Sequence, residues 1–510
     1  MSKYGIRHLT LVGVVVSAVA TFASAAALAE PSGSTAVDRN SVTIALGGEP
    51  SSWDVSLYED GNMQSVALNV FEGLTTRDAQ MKVRPLLATS WKRTGVNTWI
   101  FTLRRGVKFH NGEPFDARAA AFSINRILNP KNESQLTSFV ATIKSVQAVG
   151  QYSLRVVTKG PDPNIPGVLY YVMIVPPAHV TKDAKSFARQ PIGTGPFRFV
   201  KWDAGQKITL AAYSGYWGPS PSIRNVTVIW RPESQVRLAA LLAGEAQVAP
   251  ISPDQAKRAP RFTTAPSTDV AELGFDGQEG KPLADRRLRL AINLSIDKNA
   301  LIKFVFGGFA RKANGQLVPP ATLGFNRSLR DYPFDLKRAT TLVNAAGANG
   351  TEIVLVAPRG RWTKDVETSQ ALAGMIAKTG LKVKVEVLEF SVFLKRVFDK
   401  KARADLMYFA ASSDTFDSSR VISTLLLSPE AGGVLTRYSN PRIDALLKQA
   451  LAARTLAQKT SLYNRLWKLA YDDAAVMPIV GLQNIYGTAK ELVWKGRPDN
   501  RIIVKEMRYR

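Results

Sequence analysis

Residues 351–388 read TEIVLVAPRGRWTKDVETSQALAGMIAKTGLKVKVEVL, and this stretch decides the fold class. TEIVLVAP is a β-rich apolar run that ends at Pro358, a residue unable to donate to a sheet ladder. In the following TKDVETSQALAGMIAKTG, Leu372, Met375, Ile376 and Thr379 share one helical face. Gly380 stands where a residue in the left-handed region closes a helix. LKVKVEVL then alternates with the period of a strand. Strand, helix and strand in immediate succession make a βαβ unit, whose strands lie parallel across a right-handed crossover. ADLMYFA, shortly after, reads as a further strand. The expected class is α/β with mixed sheets, in more than one lobe.

Working outward, SVTIAL at residues 41–46 reads as a first strand after the lead-in GSTAVDRN. From Thr98 to Phe109 apolar and polar residues alternate, with Trp99, Phe101, Leu103, Val107 and Phe109 on one side. That is the pattern of a half-buried hairpin, with Arg105-Gly106 as its turn and Asn111-Gly112 as a second turn. Asp116 is the expected cap of a helix ARAAAFSINRIL that Asn129-Pro130 ends. Near the C-terminus, Asn440-Pro441 pairs an N-cap with an N1 proline. Ile443, Leu446, Leu447, Ala450 and Leu451 then form a stripe, and a second helix carries Leu462, Leu466, Trp467 and Ala470.

At 510 residues the chain exceeds what one hydrophobic core organises, so two or three domains are expected. Its 45% hydrophobic and 21% charged residues are those of a globular chain. The N-terminus is set apart. Lys3, Arg7 and His8 make a basic head, LTLVGVVVSAVATF an apolar run, and Ala27-Leu28-Ala29 a small-residue site. This is the order of a secretory signal peptide cut after Ala29, and the apolar run falls short of the about 20 residues a spanning helix needs. The absence of cysteine excludes disulfides, thiolate metal sites, a cysteine nucleophile and a lipid-attachment cysteine. An exported, untethered chain of this kind suits a bacterial periplasm. The formal charge of +26, two lower without Lys3 and Arg7, is spread along the whole chain with no arginine-rich tail. It reads as a solvated surface, and nucleic acid is not an expected partner.

Ligands of open α/β sheets collect beyond the carboxyl ends of strands. Two loops stand there. Pro358-Arg359-Gly360-Arg361-Trp362 offers guanidinium groups that grip a carboxylate with paired hydrogen bonds, beside an indole face. Ala411-Ser412-Ser413-Asp414-Thr415-Phe416-Asp417 offers two carboxylates for a cationic amine and hydroxyls to orient it. Together they suit a zwitterion. The same residue types also cap helices and build turns. After cleavage only His110 and His179 remain as histidines, and no GxSxG, HExxH, P-loop or dinucleotide motif is present. No metal, cofactor or catalytic residue is therefore assigned, although an exported hydrolase using paired carboxylates leaves no spacing to read.

Several blocks in order carry a family resemblance over nearly the whole mature chain. They are NVFEGLTTRDAQMKVRPLLATSW, WIFTLRRGVKFHNGEPFDARAAAFSINRI, IVPPAHV, PIGTGPFRFVKWDAGQKITLAAYSGYWG, LADRRLRLAINLSIDKNALI and YSNPRIDALLKQA. The chain resembles the extracellular solute-binding proteins, family 5, of bacterial ABC importers, the class that carries peptides, dipeptides and nickel complexes. The resemblance implies a periplasmic-binding-protein-like class II (cluster C) clamshell, two lobes with mixed sheets plus an extra subdomain in lobe I. It implies a signal peptide at 1–29, lobe Ia at 40–70, 189–271 and 480–510, subdomain Ib at 71–188, and lobe II at 272–479. The implied work is capture of a peptide or peptide-like solute by a monomer that closes and delivers it to ABC permease transmembrane subunits. An opine, a glutathione-like conjugate or a metal chelate is the alternative solute. Asp414 matches the aspartate that pairs with a ligand α-ammonium in peptide-binding relatives, and Arg361-Trp362 matches a loop that often carries a ligand-facing arginine. Ser412, Ser413 and Asp417 are taken with Asp414, and Tyr58, on an early loop, is the candidate for the opposite wall. The relatives' Trp-x-x-Asp-Tyr pattern is absent from Phe409–Thr415, which points to a differently shaped solute. The scarcity of histidine argues against a dedicated nickel binder.

Overall fold

The computed structural model describes residues 38–399, 403–433 and 435–510. The signal peptide expected at residues 1–29 lies outside them. The βαβ unit forms as its pattern requires. Glu352–Pro358 and Lys382–Leu388 pair in parallel, from Glu352↔Lys382 to Pro358↔Leu388, across the helix Asp365–Ala377. Leu406–Ser412 lies parallel on the other side of Glu352–Pro358, matched at Leu355↔Leu406 and Val356↔Met407. Alternate residues of this third strand enter different cores. Leu406, Tyr408 and Ala410 pack with Leu355, Leu372 and Ile376, whereas Met407 and Ala411 pack with Val356 and Phe393. Burial on both faces is why the segment shows a continuous apolar run instead of an alternation.

Two long antiparallel strands, Arg261–Phe275 and Val476–Thr488, carry the sheet across the molecule. The first pairs with Leu406–Ser412, and the second with Val248–Pro250. From there the sheet continues through Ser41–Leu46, Asn225–Trp230, Lys207–Ala212 and Phe197–Asp203. With the short Arg311–Lys312 beside Val476–Thr488, the result among the described residues is one mixed 11-stranded sheet. The crossing pair loses register between Pro266 and Val270 and again between Ala271 and Glu272. Such an irregularity bends a strand and re-aims its side chains; it leaves Ser267, Thr268 and Asp269 unpaired with Val476–Thr488, while Asp269 stays in register with Ser412 on the other side.

A second, four-stranded antiparallel sheet orders Ala88–Gly95, Thr98–Leu103, Ser153–Thr158 and Ile143–Gly150. Helix Ala117–Leu128 packs on it, capped by Asp116, whose carboxylate accepts from the backbone N–H of Arg118 and Ala119. One expectation is corrected here. Arg105-Gly106 is not the turn of a hairpin, because the partners of Thr98–Leu103 are Ala88–Gly95 and Ser153–Thr158. Beyond Gly106 the chain makes only an isolated bridge, Lys108↔Pro114, yet Val107 and Phe109 are buried as the alternation requires. A period-two pattern records which side is buried, not which segment pairs. The C-terminal helices Pro441–Leu451 and Leu456–Asp472 share one core, with Asn440 accepting from Arg442 N–H; Leu451 alone of the expected stripe is exposed.

Candidate ligand-binding site

The carboxyl ends of Glu352–Pro358 and Leu406–Ser412 open onto a cavity of about 600 Å³. One wall consists of these strand ends and the irregular part of the crossing strand, presenting Arg361, Trp362, Ser412, Asp414, Thr268 and Asp269. The facing wall comes from segments remote in sequence, including Glu59, Gln64, Tyr170, Tyr171, Asp499 and Arg501.

Arg361 is held out by a rigid turn. The Asp365 carboxylate accepts hydrogen bonds from the backbone N–H of Gly360, Arg361 and Trp362 at 3.2, 2.8 and 3.0 Å. Gly360 has φ +71°, a conformation glycine adopts at little cost. The guanidinium lies 5.5 Å from the Trp362 ring and 5.3 Å from that of Phe390. Trp362 in turn meets Phe393, Tyr408 and Phe409 edge-on. Among the described residues no ion pair engages Arg361, so its charge is free to meet a solute anion.

The second loop divides its residues. Asp414 lines the cavity, accepting from Thr415 N–H and from the Arg420 guanidinium, both at 2.8 Å. Ser412 lines it as well, with its hydroxyl 3.5 Å from that of Thr268. Ser413 is fully buried, and its hydroxyl is not part of the lining. Asp417 is committed elsewhere. It caps helix Ser418–Leu425 through Ser419 N–H at 2.9 Å, accepts from Tyr463 OH at 2.7 Å, and pairs with Lys459 at 3.0 Å. Tyr58 is half exposed and stands outside the lining, while its neighbour Glu59 is in it.

The cavity brings together four carboxylates, Glu59, Asp269, Asp414 and Asp499, and three guanidinium groups, of Arg361, Arg420 and Arg501. Burial raises the Asp414 carboxyl above its ordinary value, opposed chiefly by the Arg420 charge. Burial likewise raises Asp269, against a hydrogen bond from Ser412, and Glu59, against Arg420. Arg501 donates to Gln64 Oε1 at 2.9 Å, and its buried Nε has no protein partner among the described residues. Asp499 is held below the usual carboxylate range despite its burial, by hydrogen bonds from Arg497 and Tyr170. Sequence reasoning passed over Glu59, Asp269, Tyr170, Arg420 and Arg501. The available signal was the Asp499-Asn500-Arg501 cluster in a C-terminal segment expected to return to the first lobe.

His110 lies apart from this cavity. Its Nε2 is 2.9 Å from Gly195 O, its Nδ1 accepts from Gly193 N–H at 3.3 Å, and its ring meets Tyr213 edge-on at 4.9 Å. Glu113 accepts from Ala178 and His179 N–H at the start of helix Pro177–Lys182. Gly193 passes so close to Val70 that a Cβ would lie 2.0 Å from its carbonyl oxygen.

Two lobes joined by crossing strands, with a charged cavity between them and a subdomain on one side, define a solute-binding clamshell. A family model for bacterial extracellular solute-binding proteins, family 5 (middle), matches residues 82–433, more than half of the chain. The glutathione-binding protein GsiB of Pectobacterium atrosepticum is 30% identical over 439 residues, covering 82% of this chain and 84% of that protein. Among solved structures, the substrate-binding protein CtaP of Listeria monocytogenes superposes with a TM-score of 0.82 at 19% identity, over 92% of this chain and 99% of that one. DppA of Helicobacter pylori, in complex with the peptide STSA, gives 0.73 at 24% identity over 92% and 98%. The chain belongs to family 5 of the bacterial extracellular solute-binding proteins. It is the solute-binding component of an ABC importer, and its relatives are binding proteins rather than enzymes. Among the described residues no helix is long and apolar enough to cross a membrane.

Proposed function

We propose that this chain is a periplasmic receptor for a short peptide-like zwitterion of the glutathione kind, bound in the cavity between its lobes. One observation carries the reading: acidic and guanidinium groups from both lobes converge on a single enclosed space. Asp414 receives the solute ammonium, with Ser412 and Asp269 beside it. Arg361 and Arg501 receive carboxylates from opposite walls, each as a planar fork suited to paired hydrogen bonds. A solute that spans the walls favours the closed form over the open one, and that difference in affinity drives closure. The similarity to a glutathione-binding protein at 30% identity supports this solute class.

In the same reading the signal peptide is cut after Ala29, and a monomer with no lipid anchor docks its closed form on the permease. The lobe boundaries follow the crossing strands. Lobe Ia comprises 40–70, 189–271 and 480–510, subdomain Ib 71–188, and lobe II 272–479. Purified mature protein tested by thermal shift against glutathione and alanine peptides of two to six residues checks the solute class. A true solute at a hundredfold excess over its dissociation constant stabilises by about 2.7 kcal/mol. No shift with any of these compounds would sink the peptide-like reading.

A further inference from the structure

A second cavity, of about 360 Å³, lies behind the loop that carries Asp414. Both cavities are lined by Thr268 and Phe416, so the Phe416 ring stands in the wall between them. The second chamber has a different chemistry. Met81, Ala265, Pro266, Pro319 and Pro498 make it apolar, Arg311 and Lys495 supply cations, and its lining contains no carboxylate.

Phe416 is not a casual occupant of that wall. It is only 3% exposed and adopts φ +52°, a left-handed conformation uncommon for a bulky side chain. Its backbone is fixed at both ends, with its N–H donating to Ser413 O at 2.8 Å and its carbonyl accepting from Leu323 N–H at 2.9 Å. Across the cleft, the Arg77 guanidinium lies 4.5 Å from the Phe416 ring and 5.5 Å from that of Tyr170. Arg77 also donates to Met81 O at 2.8 Å, so it ties a residue of the second chamber to the wall at Phe416. Strained backbone held in place by its surroundings concentrates at sites where the conformation has a use.

We propose that Phe416 determines which solutes this receptor accepts, by closing the charged cavity against an apolar annex with cationic groups. The inference rests on the reading of the charged cavity as the solute site. With the ring in place, a solute anchored at Asp414 must end within the first chamber. With the ring removed, the same space continues into one that suits an apolar segment ending in a carboxylate.

The test is calorimetric binding of glutathione and of alanine peptides of two to six residues to the wild-type protein, to F416G and to F416G with Arg311→Gln and Lys495→Gln. Glycine is at ease at this φ, so F416G should fold; F416L, shorter but still apolar, takes its place if it does not. Wild-type affinity should fall by about tenfold or more beyond a limiting length. F416G should move that limit by at least one residue, and the two added substitutions should remove the gain for long peptides alone. An unchanged limit in F416G, with short-ligand affinity intact, overturns the role of Phe416. So does wild-type protein that binds all lengths equally. Wild-type protein that binds nothing in the series overturns the underlying reading of the cavity, and this inference with it.

Discussion

The turn at His110 and the loop at Asp414 are both rich in polar side chains, and they do opposite work. At the turn the His110 and Glu113 side chains are used by the fold: both His110 ring nitrogens meet backbone groups of Gly193 and Gly195, and Glu113 holds the start of a helix. At the loop, Asp414 has a single side-chain partner among the described residues, Arg420, and lines the cavity. The same contrast recurs three residues further on. Asp417 is enclosed by Lys459, Tyr463 and a helix N-terminus, and the Lys459 charge helps hold its carboxyl below its ordinary value in spite of burial. Asp414 is raised instead, because burial outweighs its partners. Polar residues built into a fold are recognised by partners that consume them, and those available to a solute by partners that do not.

The largest expected effect breaks the enclosed member of this pair. Lys459→Met leaves Asp417 and Asp162, 3.0 and 3.9 Å from the ammonium, buried without their cation. Removing one partner of a buried pair costs about 3–5 kcal/mol, to be read by denaturant unfolding. A loss below about 1 kcal/mol would place the lysine among ordinary surface ion pairs.

Asp414→Asn should act on binding instead. Loss of a desolvated charge partner weakens affinity for an ammonium-bearing solute by about 2–5 kcal/mol, with little change in melting. Equal affinity in calorimetry would remove Asp414 from the site. His110→Phe should do the reverse, leaving solute affinity unchanged while orphaned backbone groups of Gly193 and Gly195 cost about 1–3 kcal/mol of stability.

Burial lowers the His110 ring to about 4 from its ordinary 6.5. The neutral form is therefore the one the fold prefers. Its contribution is complete above pH 6.5 and declines as pH falls toward 4. His110→Phe should flatten the melting profile across that window. The smallest effect concerns Asp414, whose raised value makes affinity for an ammonium solute fall by up to about tenfold per pH unit once the carboxyl is protonated. Asp414→Asn should abolish that slope, and a slope that survives the substitution would assign it to another group.

Much of this molecule is legible locally. Pro358, Gly380 and the period of residues 351–388 specify a parallel unit, and Asp116 and Asn440 cap the helices they precede. The placing of Arg361 and Asp414 follows from the same reading, because loops at strand carboxyl ends face outward from a parallel sheet. The pairing of Thr98–Leu103 was not legible, since alternation is blind to partners. Nor was the fate of Asp417, whose type and position match those of a solute anchor until Lys459 and Tyr463 arrive from another helix.

The sequence by itself determined most elements, the family blocks and the two loops that carry Arg361 and Asp414, since these depend on propensity and spacing along the chain. Only the tertiary structure decided the facing wall. Glu59, Tyr170 and the segment carrying Asp499 and Arg501 lie far apart in sequence and meet only in the folded chain, where Tyr170 OH donates to Asp499 at 2.7 Å. It also decided which carboxylates remain free, because that depends on burial and on partners the local sequence does not contain.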